Sequence, residues 1–337
     1  MMKHHAYFLV LAIGLLLLSA IILLSLVSGA VNTDLWQTLT ALYGKGDSST
    51  VFIVQQLRLP RTLLGVFIGA ILGCCGAVLQ GLFRNPLADP GIIGVSAGAA
   101  LGAAIAIVLL PQGILLWNKL SLLSLFSFIG GLLATLFVYH IGKTHYGTRM
   151  TLILLSGIAI GALAFAFLGL LQFIADDRAL RELTTWQLGS LAHGNCNTVI
   201  LCAVTAFLLL TQFMRRASAL NALLLGDLEA RHLGVSVEKI KRSCIIYTAL
   251  GIGIAVSVSG MIGFIGLIVP HIARTLLGPN HKTLIPACAL IGAILLLGAD
   301  ILARKLAAPA EIPIGILTAL LGAPFFITLL IKNKGRL

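Results

Sequence analysis

The stretch Arg58–Ala104, RLPRTLLGVFIGAILGCCGAVLQGLFRNPLADPGIIGVSAGAALGAA, decides the fold of this chain. Two apolar runs of membrane length flank a polar reversal, Arg84–Pro90, and two arginines, Arg58 and Arg61, stand just before the first run. Glycine recurs every fourth residue in both, as Gly65, Gly69 and Gly73, then Gly94, Gly98 and Gly102. On a helix that spacing makes one smooth strip, which lets two backbones approach where lipid supplies no hydrophobic drive to association. The stretch predicts two membrane helices that pack on their neighbours through glycine.

The rest of the chain follows suit. Its 337 residues are 59% hydrophobic and 10% charged, with a mean hydropathy of +1.06, outside the range of a soluble domain. About 20 apolar residues cross a bilayer. Ten runs approach that length: 6–28, 62–82, 92–110, 120–140, 151–174, 196–214, 243–259, 261–277, 283–303 and 313–331. Pro270 and His271 interrupt the eighth. The prediction is an all-α, polytopic membrane protein, one transmembrane domain over 1–337. Ser28-Gly29-Ala30 looks like a cleavage site after the first run, but that run exceeds a signal-peptide core, so a retained helix is expected.

Lysine and arginine give the orientation. With both termini on one side, 15 of the 23 basic residues share it. The other side carries Lys45, Arg58, Arg61, Lys119, Arg178, Arg181, Arg304 and Lys305. The richer side is cytoplasmic by the positive-inside rule. The net charge of +12 is then topology and contact with anionic lipid headgroups. No basic patch interleaved with aromatics suggests nucleic acid. The six cysteines form no Cys-x-x-Cys pair and read as small apolar filler.

Motifs for chemistry are missing. Gly142-Lys143-Thr144 echoes the end of a phosphate-binding loop, but Phe137 stands where its leading glycine belongs. No dinucleotide fingerprint and no HExxH motif occurs; no metal site, cofactor or enzymatic activity is expected of the chain itself. His271 reads as a satisfied polar group. Ion-coupled carriers place carboxylates at mid-depth, whereas the charged pair within a span here, Asp300 and Arg304, lies four residues apart and reads as mutual neutralisation. An external energy source is the expectation, with an ion-coupled secondary carrier as the alternative.

The loop 215–242 is where such energy could enter. Leu220, Leu223, Leu224 and Leu228 fall at helical spacing, Gly226 marks a bend, and Asp227, Glu229, Ala230, Leu233 and Gly234 follow. A helix this short is not stable alone in water, so it needs the bundle or a soluble partner.

Several segments together resemble the permease subunits of type II ATP-binding-cassette importers, the family that carries iron–siderophore complexes, haem and vitamin B12. They are Arg58-Leu-Pro-Arg61, Asn85-Pro-Leu-Ala-Asp-Pro-Gly91 with Gly94-Val-Ser-Ala-Gly98, Leu155-Ser-Gly157 and Trp186-Gln-Leu-Gly-Ser-Leu191. Further along come Gly226-x-x-x-Ala230-x-x-Leu-Gly234, Gly263-Phe-Ile-Gly-Leu-Ile-Val-Pro-His271, Asp300-x-x-x-Arg304, Glu311-Ile-Pro-Ile-Gly315 and Gly322-Ala-Pro-Phe-Phe326. They keep the family's order across residues 50–330.

The resemblance implies a pathway between two permease subunits, here a homodimer, with two cytoplasmic ATPases that hold the ATP and magnesium. It also implies an external binding protein and a bacterial inner-membrane location. Arg58, Arg61 and Arg304 map to the arginines that dock the binding protein. Leu223, Leu224, Gly226, Asp227, Leu228, Glu229, Ala230, Leu233 and Gly234 map to the ATPase-coupling segment. Arg149, Met150, Thr151 and Leu152 map to the inner gate, and Gly315 and Thr318 to the path. Ala175-Asp-Asp-Arg-Ala-Leu-Arg181 with Leu183-Thr-Thr-Trp186 is most similar to the haem branch, with ferric siderophore next and cobalamin third.

Overall fold

The computed structural model describes residues 2–333 apart from 30, 32, 111, 146 and 309, with side chains described outside 2–6, 112–120, 329, 330, 332 and 333. The side chains of Lys3, Lys119 and Lys332, and all of Ala30, Tyr146, Lys334 and Arg336, lie outside the described residues.

The chain runs α1 (Met2–Val27), α2 (Leu35–Leu42) and α3 (Ser48–Phe52), then a π-helical turn, Ile53–Arg58, into α4 (Leu59–Phe83). A 3-10 turn at Pro90–Ile93 leads to α5 (Val95–Leu109) and α6 (Gln112–Gly142). The strands β1 (Lys143–Thr144) and β2 (Gly147–Thr148) pair antiparallel, Lys143 opposite Thr148. Then come α7 (Met150–Ile174), α8 (Asp177–Gln187), α9 (Cys196–Leu223) and α10 (Asp227–His232). The remainder is α11 (Val237–Ser259), α12 (Ile265–Leu277), α13 (His281–Leu306) and α14 (Ile314–Asn333).

Among the described residues, seven helices are long and apolar enough to cross a membrane, and three shorter apolar ones lie in α5, α12 and α14. Together they correspond to the ten expected runs. The expected boundaries need correction. α9 continues to Leu223 instead of stopping at 214, and α11 begins at Val237 instead of 243. Polar residues such as Arg216 extend these helices beyond the apolar window: its Nε donates to Ser243 Oγ at 2.9 Å and its guanidinium stacks over Tyr247 at 4.8 Å. The 215–242 loop is therefore helical over most of its length.

α4 is the buried centre, packed against α13, α9, α12 and α11. The glycine strips lie at the crossings. A Cβ at Gly69 would lie 2.7 Å from the carbonyl carbon of Gly292 and 2.8 Å from Cα of Ala293, so α4 and α13 meet backbone to backbone. Gly98 meets Gly130 and Ala134 of α6 in the same way. Outward faces are apolar too: Leu16 in α1, Phe165 in α7 and Phe207 in α9 are exposed, as lipid requires.

Two local solutions hold the bundle together. The reversal after α4 is built by Asn85 Oδ1 accepting from Leu87 N at 2.9 Å and Asp89 Oδ1 accepting from Gly91 N at 2.7 Å, the turn chemistry those residue types favour. In α12, Pro270 has no N–H for the carbonyl of Gly266, one turn earlier. Gln80 of α4 donates Nε2 to Gly266 O at 3.4 Å and to Leu267 O at 3.1 Å, so the interrupted eighth run remains a satisfied helix. Of the six free cysteines, all but Cys196 are buried.

Candidate functional site

Features gather at the two ends of the bundle. At the upper end, where α1 and α13 finish and α4 begins, Arg58, Arg61 and Arg304 converge. The resemblance assigns all three to docking of a binding protein; within this single chain their guanidinium groups are directed into the protein. Arg58 is 5% exposed and its Nη1 donates to Leu26 O (2.8 Å), Val27 O (2.9 Å) and Thr33 Oγ1 (2.6 Å); Nη2 donates to Val31 O. Arg304, 6% exposed, donates through Nη1 to Ser25 O (3.1 Å) and Ser28 O (2.7 Å) and through Nη2 to Ser25 Oγ (2.8 Å). Both cap the C-terminal carbonyls of α1, which no intrahelical N–H can satisfy and which carry the negative end of the helix dipole.

Asp300 holds the cluster at its centre. It is fully buried, pairs with Arg304 Nε at 3.0 Å and accepts from Arg61 Nη2 at 2.9 Å. Arg61 Nη1 donates to both oxygens of Glu311 at 2.8 Å, and that carboxylate is 46% exposed. Arg61 thus reaches the rim only through Glu311. Sequence reasoning takes Asp300 and Arg304 as a private pair; it does not show that Arg61, 239 residues before Asp300, and Glu311 join them.

Beside this cluster α8 packs on α5 and faces α6 at Leu123 and Ser124 and the end of α11 across a cavity. Asp176 caps α8 by accepting from Ala179 N at 2.7 Å, and Leu183 seats it in the core. Under it lies a cavity of about 670 Å³ lined by Arg178, Arg181, Glu182, Trp186, His193 and Ser259 among others. The segment singled out for its likeness to the haem branch therefore forms a wall of an upper chamber.

The lower end carries the coupling and gate residues. α9 stops at Leu223 and Gly226, at φ +131°, turns the chain into α10; Gly234, at φ +80°, turns it out again. Both angles suit glycine. The leucines divide differently from the expected amphipathic face. Leu220, Leu223 and Ala230 point into the bundle, whereas Leu224, Leu225, Leu228 and Leu233 face outward, with Leu225, Leu228 and Leu233 more than 60% exposed. Leu225 lies in the turn after α9 ends, outside the helical spacing of Leu220, Leu223 and Leu224. Asp227 pairs with Lys241 and lies 3.5 Å from Arg84; Glu229 is exposed.

Arg149 precedes α7 and is exposed like Thr151, while Met150 and Leu152 are half-buried. Gly315 lies against Leu188, its N–H donating to Leu188 O at 3.0 Å. Thr318 is 3% exposed and donates to Gly315 O at 3.1 Å. Within the single chain, Ile316 and Leu320 are the outward residues of that turn. Among the described residues no group of His, Cys, Asp and Glu could hold a metal ion.

An apolar helical bundle with glycine crossings, a polar chamber at one end and a leucine-bearing surface helix at the other defines a membrane permease. The chain belongs to the FecCD transport family, whose profile matches residues 16–332. The hemin transport system permease protein HmuU of Yersinia pestis is 41% identical over 332 residues, 96% of each chain. The vitamin B12 import system permease protein BtuC of Klebsiella pneumoniae is 40% identical over 284 residues, 84% of this chain and 83% of that one. Among solved structures, an inward-facing transporter described as of metal-chelate ABC type superposes with a TM-score of 0.83 at 34% identity, over 97% of this chain and 99% of the other.

Proposed function

We propose that the chain is the transmembrane subunit of an ATP-binding-cassette importer for a metal chelate, with haem as its cargo ahead of ferric siderophore, and cobalamin as the alternative. The observation that carries the importer reading is the exposed leucine set on and beside α10. Leu224, Leu225, Leu228 and Leu233 sit on a turn held to the bundle by Gly226, Ala230 and Asp227, which is the form of a stiff element seated in a soluble partner. That partner is an ATPase carrying the ATP and magnesium. Two copies of this chain enclose the pathway, with Arg149–Leu152 at its inner mouth and α14 around Gly315 and Thr318 beside it. The membrane is the bacterial inner membrane, with both termini cytoplasmic and the arginine end facing the binding protein. Glu311 stands at the docking rim and Arg61 anchors it there, while Arg58 and Arg304 hold the cluster in place.

Haem is favoured by the full-length likeness to the hemin permease and by the chamber under α8. Its two arginines, a histidine and Trp186 suit a planar chelate with anionic edges. An ion-coupled carrier fits less well, because Asp300, the one carboxylate among the buried residues described, is bound by two guanidinium groups. The test is uptake by vesicles containing the chain with its ATPase and loaded binding protein. ATP-dependent haem entry is expected. Preferential entry of cobalamin overturns the cargo; entry driven by an ion gradient without the ATPase overturns the class.

A further inference from the structure

The connection between α10 and α7 runs through two residues of α11 that no motif singled out. Glu238 and Lys241 stand three residues apart, hence on one helix face. Between them they hold both sides of a single peptide unit pair at Thr148. Glu238 Oε2 accepts from Thr148 N at 2.8 Å, and Lys241 Nζ donates to Thr148 O at 3.0 Å. Thr148 ends β2 and lies two residues before α7 begins at Met150. The same ammonium pairs with Asp227, the first residue of α10.

Several features show that the contact is built in. Lys241 is 3% exposed, and a buried ammonium is tolerated only when charge and hydrogen bonds compensate it. Residue 147 is glycine at φ +114°, a backbone conformation that side chains rarely adopt, and a Cβ there would lie 3.0 Å from Glu238 Cδ. The hairpin is continued by Arg149 N donating to Gly142 O at 3.1 Å, so Thr148 is fixed to the end of α6 as well.

We propose that Glu238 and Lys241 are positioning residues for transport: they clasp Thr148 so that displacement of α10 is passed to the start of α7 and the Arg149–Leu152 turn. The inference rests on the coupling reading above and adds the route by which the surface helix reaches the gate. Asp227 sits at the partly exposed end of the clasp, on the helix that displays Leu228, while Thr148 sits at the buried end. A partner that moves α10 therefore pulls the Lys241 ammonium, and Lys241 with Glu238 pulls the Thr148 backbone.

The test uses the full assembly in vesicles and three variants, Lys241→Met, Lys241→Arg and Glu238→Ala. The readouts are cargo imported per ATP hydrolysed and labelling of a Met150→Cys probe by an impermeant thiol reagent, in a Cys196→Ser background. Lys241→Met and Glu238→Ala should keep ATP hydrolysis while import per ATP falls by about tenfold or more, the scale expected from losing a charged hydrogen bond. The difference in Met150→Cys labelling between nucleotide-free and ATP-bound states should vanish with it. Lys241→Arg, which can still bridge a carboxylate and a carbonyl, should restore both. Where Lys241→Met fails to assemble, Glu238→Ala decides. Wild-type import per ATP and wild-type labelling in assembled variants overturn the clasp alone. Import by the unsubstituted chain that is indifferent to the ATPase overturns the coupling reading and the clasp with it.

Discussion

Gly69→Ala tests whether the close crossing of α4 and α13 holds this bundle together. The new Cβ would lie 2.7 Å from the carbonyl carbon of Gly292 and 2.8 Å from Cα of Ala293. Neither neighbour is a side chain that can swing away. Ordinary contact begins near 3.4 Å, so the two backbones must part by at least about 0.7 Å, and Gly73 against Cys288 on the same strip parts with them. Overpacking of this kind costs about 1–3 kcal/mol. With an unfolding entropy of about 2 cal/mol/K per residue, the fall in melting temperature is roughly 1.5–4.5 °C. Gly298→Ala in α13 is the control, because a Cβ there meets nothing within 4 Å; it should be neutral or raise stability slightly, since glycine is the poorer helix former. Both variants are compared with wild type in detergent at one heating rate, following loss of the monodisperse peak, because the rate matters when unfolding is irreversible. If Gly69→Ala and Gly298→Ala melt within about 1 °C of each other, the crossing is not the constraint described here.

Asp300→Asn removes the buried charge that holds Arg61 and Arg304 and should destabilise the protein by about 3–5 kcal/mol, read in the same melting assay. An unchanged melt would mean that the α1 carbonyls and Glu311 suffice. Gln80→Met strands the Gly266 carbonyl opposite Pro270 and should cost about 1–3 kcal/mol, read in the same melting assay. Leu228→Asp on the exposed face of α10 should abolish co-purification of the ATPase while leaving the melt unchanged; Leu223→Asp, on the buried side, should instead prevent folding. Equal behaviour of the two leucine variants would refute the division of faces.

The ten apolar passes, the glycine strips and the reversal at Arg84–Pro90 are legible in the amino-acid sequence alone. Each follows from a local rule: a length set by bilayer thickness, a four-residue spacing on a helix, and turn chemistry carried by Asn85 and Asp89. The sequence also marks the α10 segment and, through nine ordered motifs, the family. Where the charges go is set by the packed bundle. Arg58 and Arg304 are read as surface cations as long as their partners are unknown, and those partners are the spare carbonyls at the end of α1, more than 25 residues away from either guanidinium. Gln80 and Pro270, Arg61 and Asp300, and Lys241 and Thr148 are likewise pairs made by packing across the chain. The leucine faces around Gly226 were beyond reach for a related reason: a glycine at φ +131° resets the helical phase, so periodicity on one side of it carries no information about the other. In an interior without water, a polar group must find its partner within the protein, and which partner it finds is a property of the assembled bundle.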